Sequence, residues 1–320
     1  MERRSLGMPD GRVVEILTDG PSDGLPLVLH EGTPVGLTVY PATIAAAAVR
    51  GLRVVLIARP GYEGSTPRPG RRVADVAADV ADVLTALGAD TFLTAGWSGG
   101  GPHALACAGL LPGRCLAAAS IAGVAPYRAA GLDWTAGMGK ENVEEFDAAL
   151  AGEEALTAFL NAAASVMRDV TGDDVAESLG DLVAAADKAA LTGEYADHMA
   201  GALRAALSAG IAGWRDDDLA FTRDWGFNLG WPGSAGHAGS AGRPELTVDT
   251  LLGPDQHPAP VAVWQGDQDR MVPYAHGAWL AGNITGARAH LLPGEGHLTL
   301  TVTSLDRILD DLLELAGLAG

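Results

Sequence analysis

Short runs of almost purely apolar residues recur along the chain, separated by stretches with helical periodicity. That alternation constrains the fold more than any other feature. The runs are RVVEIL, LPLVLH, RVVLIA, TFLTAG, CLAAASIAG, PVAVWQG and ARAHLLP. A strand covered by helices on both faces must be apolar on both, so such runs fit the inside of a parallel sheet. Between them, VADVAADVADVLTALG repeats its apolar positions at three- and four-residue spacing and ends in Gly88, a suitable helix C-cap. The pattern predicts an α/β fold, with a mostly parallel central sheet flanked by helices. The first two strands are expected to form an antiparallel entry hairpin.

The alternation stops between about residue 126 and residue 255. KENVEEFDAALAG, EEALTAFLNAAASVMRDV, DDVAESLGDLVAAADKAAL and EYADHMAGALRAALSAG read there as helices. The expected organisation is a core of residues 1–125 and 256–320 carrying an inserted helical cap, 126–255. LGWPGSAGHAGSAGRPEL gives that cap a flexible Gly/Pro-rich loop near 229–246. A chain of 320 residues is long enough to hold such a cap and to enclose a dry pocket.

Composition narrows the partners. Hydrophobic residues make up 48% and charged residues 19%, a globular balance. A net charge of −19 repels nucleic acid and anionic membranes but says little about the substrate, which is expected to be a small molecule. Cys107 and Cys115 lie in Ala-rich surroundings and read as buried thiols of a reducing compartment. The opening MERRSLGMPDG has no apolar run behind it, and CLAAASIAGVA is too short to span a bilayer, so a cytoplasmic protein is expected. No His/Cys cluster has metal-ligand spacing and H-E-x-x-H is absent, so neither metal nor cofactor is expected. Oligomeric state has no signature in the sequence.

The stretch AGWSGGG, residues 95–101, follows one apolar run and opens a helix-like segment with Pro102 near its first position. A serine on so tight a strand-to-helix turn takes a strained backbone, and the residues two before and two after it come into close approach. Gly96 and Gly100 fit that demand. The spacing matches neither dinucleotide- nor triphosphate-binding glycine loops. Ser98 needs a base, and the base an orienting acid. Asp269 in WQGDQDRMVP, with Asp267 as a rival, and His297 in LLPGEGHLTL both follow strands, whose carboxyl ends collect functional groups in a parallel sheet. His30, His103 and His276 read as structural.

Ser, Asp and His in this order, on these loops, resemble the α/β-hydrolase fold family, in its capped serine esterase and proline-iminopeptidase-like branch. The resemblance covers residues 12–125 and 258–317. It implies that the acid closes a G-x-x-D after the seventh strand, which maps onto Gly266 to Asp269. Gly32-Thr33-Pro34 resembles the family's H-G-x-P loop, with Glu31 where a histidine is usual. The implied oxyanion donors are the backbone amides of Thr33 and Gly99. ARPGYEGST resembles a family loop that begins Asp-Arg; Ala58 replaces that aspartate, so the salt bridge expected there is missing. The implied reaction is hydrolysis of a carboxylic ester through an acyl-enzyme. Aminopeptidase cleavage and haloperoxidase-like perhydrolysis are alternatives that use the same groups. Asp-nucleophile chemistry is disfavoured because residue 98 is serine, and a non-catalytic binding protein would normally have lost one of the three. Trp97, Trp134, Met138, Trp214, Phe221, Trp225 and Trp231 are candidate walls of an apolar pocket, and Glu144 and Glu145 could receive a substrate amine.

Overall fold

The computed structural model describes residues 1–229 and 258–319. Eight strands form one sheet: β1 (Glu2–Gly7), β2 (Val13–Asp19), β3 (Leu25–His30), β4 (Leu52–Ile57), β5 (Phe92–Trp97), β6 (Cys115–Ile121), β7 (Val261–Gly266) and β8 (Arg288–Leu292). Their spatial order is β1-β2-β4-β3-β5-β6-β7-β8. From β4 through β8 every neighbouring pair is parallel. The entry hairpin is not formed by the two strands expected from sequence. β2 pairs antiparallel with β1 and with β4, while β3 lies beyond β4. β1 escapes sequence reading because nearly all its residues are exposed at the sheet edge, so no apolar run marks it.

Helices α1 (Pro41–Ala48), α2 (Val76–Ala86) and α3 (Gly101–Leu110) connect the first six strands. Between β6 and β7 the described chain holds α4 (Lys140–Ala151), α5 (Glu153–Met167), α6 (Gly172–Ser178), α7 (Ala185–Ala190), α8 (Gly193–Ala206) and α9 (Ala212–Phe221). Then come α10 (Tyr274–Asn283), α11 (Thr299–Thr303) and α12 (Leu305–Leu315). Adjacent strand residues serve opposite cores. Leu27, Val54 and Leu93 pack with Ala47 of α1 and Leu309 of α12. Val28, Val55 and Phe92 pack with Leu84 of α2, Leu105 of α3 and Leu280 of α10. Each fully buried Leu or Val side chain contributes about 1.5–3 kcal/mol, which is why runs without polar residues end up in these central strands.

The helical block differs from its sequence reading in two places: α9 is a helix that the reading did not include, and one stretch read as a single helix is broken. DDVAESLGDLVAAADKAAL does not make one helix. Gly180 takes φ +52° and splits it into α6, a short 3-10 turn and α7. Val175, Leu179, Leu191, Met199 and Leu203 form a separate small core between α6, α7 and α8, closed by Leu298. The Gly/Pro-rich stretch from residue 230 onward lies outside the described residues.

Candidate active site

β5 ends at Trp97 and α3 starts at Gly101, leaving Ser98 to reverse the chain with φ +55°. An L-residue in the left-handed region carries about 1 kcal/mol or more of strain, and such strain collects where a side chain must be aimed. A Cβ on Gly96 would strike the Gly100 carbonyl, and one on Gly100 would strike the backbone of His30. Ser98 is half-buried, and its hydroxyl makes no hydrogen bond among the described residues. The Gly99 amide stands at the first turn of a helix, where no intrahelical acceptor exists.

Asp269 and His297 meet at the same edge of the sheet. His297 Nδ1 lies 2.8 Å from Asp269 Oδ2. The carboxylate is fixed from three sides: the Met271 and Val272 amides donate to Oδ1, and Gln265 Nε2 donates to Oδ2 at 3.0 Å. Both residues are buried, and His297 Nε2 has no partner among the described residues. The imidazole packs against Trp97, the residue before Ser98. The two rings lie 5.1 Å apart and Trp97 Nε1 donates to the His297 carbonyl at 3.1 Å. Asp267 is exposed and accepts instead from the Gly294 amide.

His30, His103 and His276 are all buried, and none is the ring that bonds Asp269. His276 uses both ring nitrogens on backbone, the Ala125 amide and the Trp134 carbonyl. Burial pushes the His103 pKa down to about 4. Cys107 and Cys115 are buried free thiols.

The loop after β3 is gripped by a buried ion cluster that replaces the salt bridge expected to be missing at Ala58. Arg59 donates to the carbonyls of Glu31 and Gly32 at 2.7 and 2.9 Å and to Thr33 Oγ1 at 3.0 Å. Its acid is Asp217 of α9, 2.7 Å away. Asp217 also pairs with Arg71 and accepts from Tyr62 Oη and Thr33 Oγ1. Burial works against this carboxylate, but the Arg59 and Arg71 guanidiniums overcome it and hold its pKa well below the usual range. The Thr33 amide has no acceptor among the described residues.

A cavity of about 50 Å³ opens on Ser98, Thr33 and Gly99, walled by Phe146, Phe221 and Val272. Glu145 and Asp218 also face it. Burial raises both carboxyls, and repulsion from Glu145 pushes Asp218 further, well above the ordinary range. Trp214 Nε1 holds Glu145 at 2.6 Å.

Of the aromatic residues named from sequence, Phe221 lines this cavity. Trp97, Trp134, Met138, Trp214 and Trp225 do not. Trp134 packs edge-on against Phe146 at 4.5 Å and supports the wall from behind. Met138 sits in the main core, Trp225 stacks on Phe227, and Trp97 walls a second cavity together with Tyr40, Tyr195 and Met199. Trp231 lies outside the described residues. Glu144 forms an exposed pair with Lys140, whereas Glu145 turns inward.

Glu31, where the resembling family has histidine, borders that second cavity, and burial pushes its carboxyl up to about 7, only partly offset by Arg59. An acid raised in the folded state keeps a proton that the unfolded chain releases near 4.5. Stability therefore declines as pH rises from there to about 7 and stays lower above it. Glu31→Gln should raise unfolding free energy at pH 8 by up to about 3 kcal/mol, at about 1.4 kcal/mol per pH unit, and by nothing at pH 4. Urea melts at the two pH values check this; equal effects at both would refute it.

Comparison with known proteins identifies the family. The family model described as alpha/beta hydrolase fold matches residues 26–302, and the chain belongs to that family. It is an enzyme of the hydrolase class. A non-heme chloroperoxidase of Streptomyces lividans is 34% identical over 138 residues, which cover 42% of this chain and 50% of the relative. The match thus spans about half the length of that relative. Among solved structures, an esterase from Rhodococcus sp. ECU1013 superposes with TM-score 0.62 at 20% identity, covering 98% of this chain and 100% of the other. A bromoperoxidase from Bacillus anthracis gives TM-score 0.64 at 18% identity, covering 99% and 100%. At such identities the structural likeness concerns the fold. Among the described residues no helix is long and apolar enough to cross a membrane.

Proposed function

We infer that the protein is a serine hydrolase that cleaves a carboxylic ester of a small to medium apolar substrate through an acyl-enzyme. The reading rests chiefly on the His297–Asp269 hydrogen bond, which leaves Nε2 buried and without a partner among the described residues, on a ring packed against Trp97, the residue before Ser98. Ser98 Oγ attacks the acyl carbon while His297 Nε2 takes its proton; Asp269 orients the ring and stabilises its cation. The Thr33 and Gly99 amides hold the oxyanion, each such donor being worth about 3 kcal/mol. His297 passes its proton to the leaving alcohol, then draws one from the water that releases the acid. Phe146, Phe221 and Val272 favour an apolar acyl group.

A second reading, aminopeptidase-like amide cleavage, draws support from Glu145 and Asp218 at the same cavity. Side by side they retain a proton between them and leave one negative charge to meet a substrate ammonium. The test is a fluorophosphonate probe with adduct mapping, followed by a panel of p-nitrophenyl esters, proline anilide and acetate with peroxide. The adduct should fall on Ser98 and the esters should turn over fastest. Absence of the adduct would defeat the serine reading; faster turnover of the anilide would move the substrate class to amines.

A further inference from the structure

Two carboxylates of the helical block are buried against the loops that carry the proposed oxyanion donor and base, and neither touches the cavity at Ser98. Asp217, on α9, receives the Thr33 hydroxyl proton at 2.9 Å and anchors Arg59. Arg59 in turn holds the carbonyls of Glu31 and Gly32, so three consecutive residues of the loop are tied down from one acid. Asp187, on α7, accepts the amides of His297, Leu298 and Thr299 at 3.0, 2.8 and 3.1 Å. It closes the start of α11 directly at the histidine. Both side chains are fully buried.

Burying charge is costly, and replacing a buried ion pair by apolar residues is often neutral or stabilising. What these acids supply is geometry. Ala58, beside Arg59, carries no carboxylate, so Arg59 takes its acid from α9, and the Gly32 and Gly296 backbones have no side chains to pack.

We propose that the helical block completes the active site of the sheet domain: Asp217 and Asp187 are positioning residues that fix, respectively, the oxyanion loop at Thr33 and the histidine loop at His297. This rests on the serine-hydrolase reading above. A carboxylate aimed at Thr33 Oγ1 from one side and Arg59 Nη2 from the other leaves the hydroxyl a single orientation. The neighbouring amide is thereby held toward the Ser98 cavity before substrate arrives, the preorganisation on which oxyanion stabilisation depends. Asp187 does the same for the backbone of His297, as Asp269 does for its ring.

The inference is tested with Thr33→Val, Thr33→Ser, Asp217→Asn and Asp187→Asn, measuring kcat, KM and the affinity of an alkyl boronic acid that forms a tetrahedral adduct. Thr33→Val, which removes only the link, should lower kcat about tenfold with KM within about threefold, while Thr33→Ser stays near wild type. Asp217→Asn and Asp187→Asn should lower kcat by about 30-fold or more, with boronate affinity falling in parallel. A merely structural role would lower melting temperature and leave kcat of the folded fraction intact. Should Asp217→Asn fail to fold, the Thr33 pair decides for that loop. Full kcat in both Thr33→Val and Asp187→Asn, with Ser98→Ala inactive, overturns this inference alone. Undiminished turnover in Ser98→Ala takes the hydrolase reading and this one down together.

Discussion

Replacing Ser98 by alanine should lower ester turnover on the order of 10⁵-fold while leaving the folded structure and its melting temperature unchanged. The loss is large because in the proposed mechanism the hydroxyl is the bond-forming atom; only polarisation by the amides and binding would remain. Ser98→Gly separates chemistry from stability. It should be equally inactive yet more stable by about 1 kcal/mol, since glycine adopts φ +55° without the strain the serine carries. Along the relay, Asp269→Asn should cost about 10⁴-fold, because the amide would favour the wrong imidazole tautomer. Asp267→Asn should be nearly silent, since that side chain is exposed and bonds only its own loops. Steady-state kinetics with a p-nitrophenyl ester and thermal melts read all four variants. Turnover surviving in Ser98→Ala, or loss in Asp267→Asn matching that in Asp269→Asn, would contradict the assignment.

The Asp269–His297 pair and the Ser98 elbow were legible in sequence for a topological reason. Ser98, Asp269 and His297 each follow an apolar run, and in a parallel sheet the ends of such runs converge whatever their separation along the chain. The fold class follows from the same runs, whose alternate residues feed two cores. The pocket was not legible, because its walls come from helices whose docking no local pattern encodes. Trp134, Trp214 and Trp225 are large apolar residues near the site, and tertiary packing turned them into supports. Asp216-Asp217-Asp218 shows the limit most sharply. No motif marks these three successive acids, yet all three are buried; Asp217 bonds Thr33 and Arg59, while Asp218 faces the cavity at Ser98. Ala58 carried a usable signal: an arginine deprived of its adjacent acid must find another if it is buried. Position in sequence could not say where that acid was.

Gly100→Ala should be among the most destabilising single substitutions in the sheet domain, costing more than about 3 kcal/mol and abolishing activity in whatever folds. Its φ of −75° is ordinary, so the requirement for glycine here is one of space rather than conformation. An added Cβ would collide with the His30 carbonyl and lie 2.9 Å from that of Glu31. Those are backbone atoms at the end of β3, which cannot rotate aside like a side chain. Relief requires the whole loop from His30 to Thr33 to withdraw from the elbow. That movement breaks the Arg59 contacts to Glu31 and Gly32 and opens the space between the Thr33 and Gly99 amides, so stability and oxyanion binding are lost by one displacement. Gly282→Ala is the control. It lies in α10 with nothing within 4 Å of the added methyl, and should be neutral or stabilising by about 0.5–1 kcal/mol through helix propensity. Denaturant midpoints and residual esterase activity of the two variants decide the matter. A folded, active Gly100→Ala would mean that the elbow and the oxyanion loop do not need to touch.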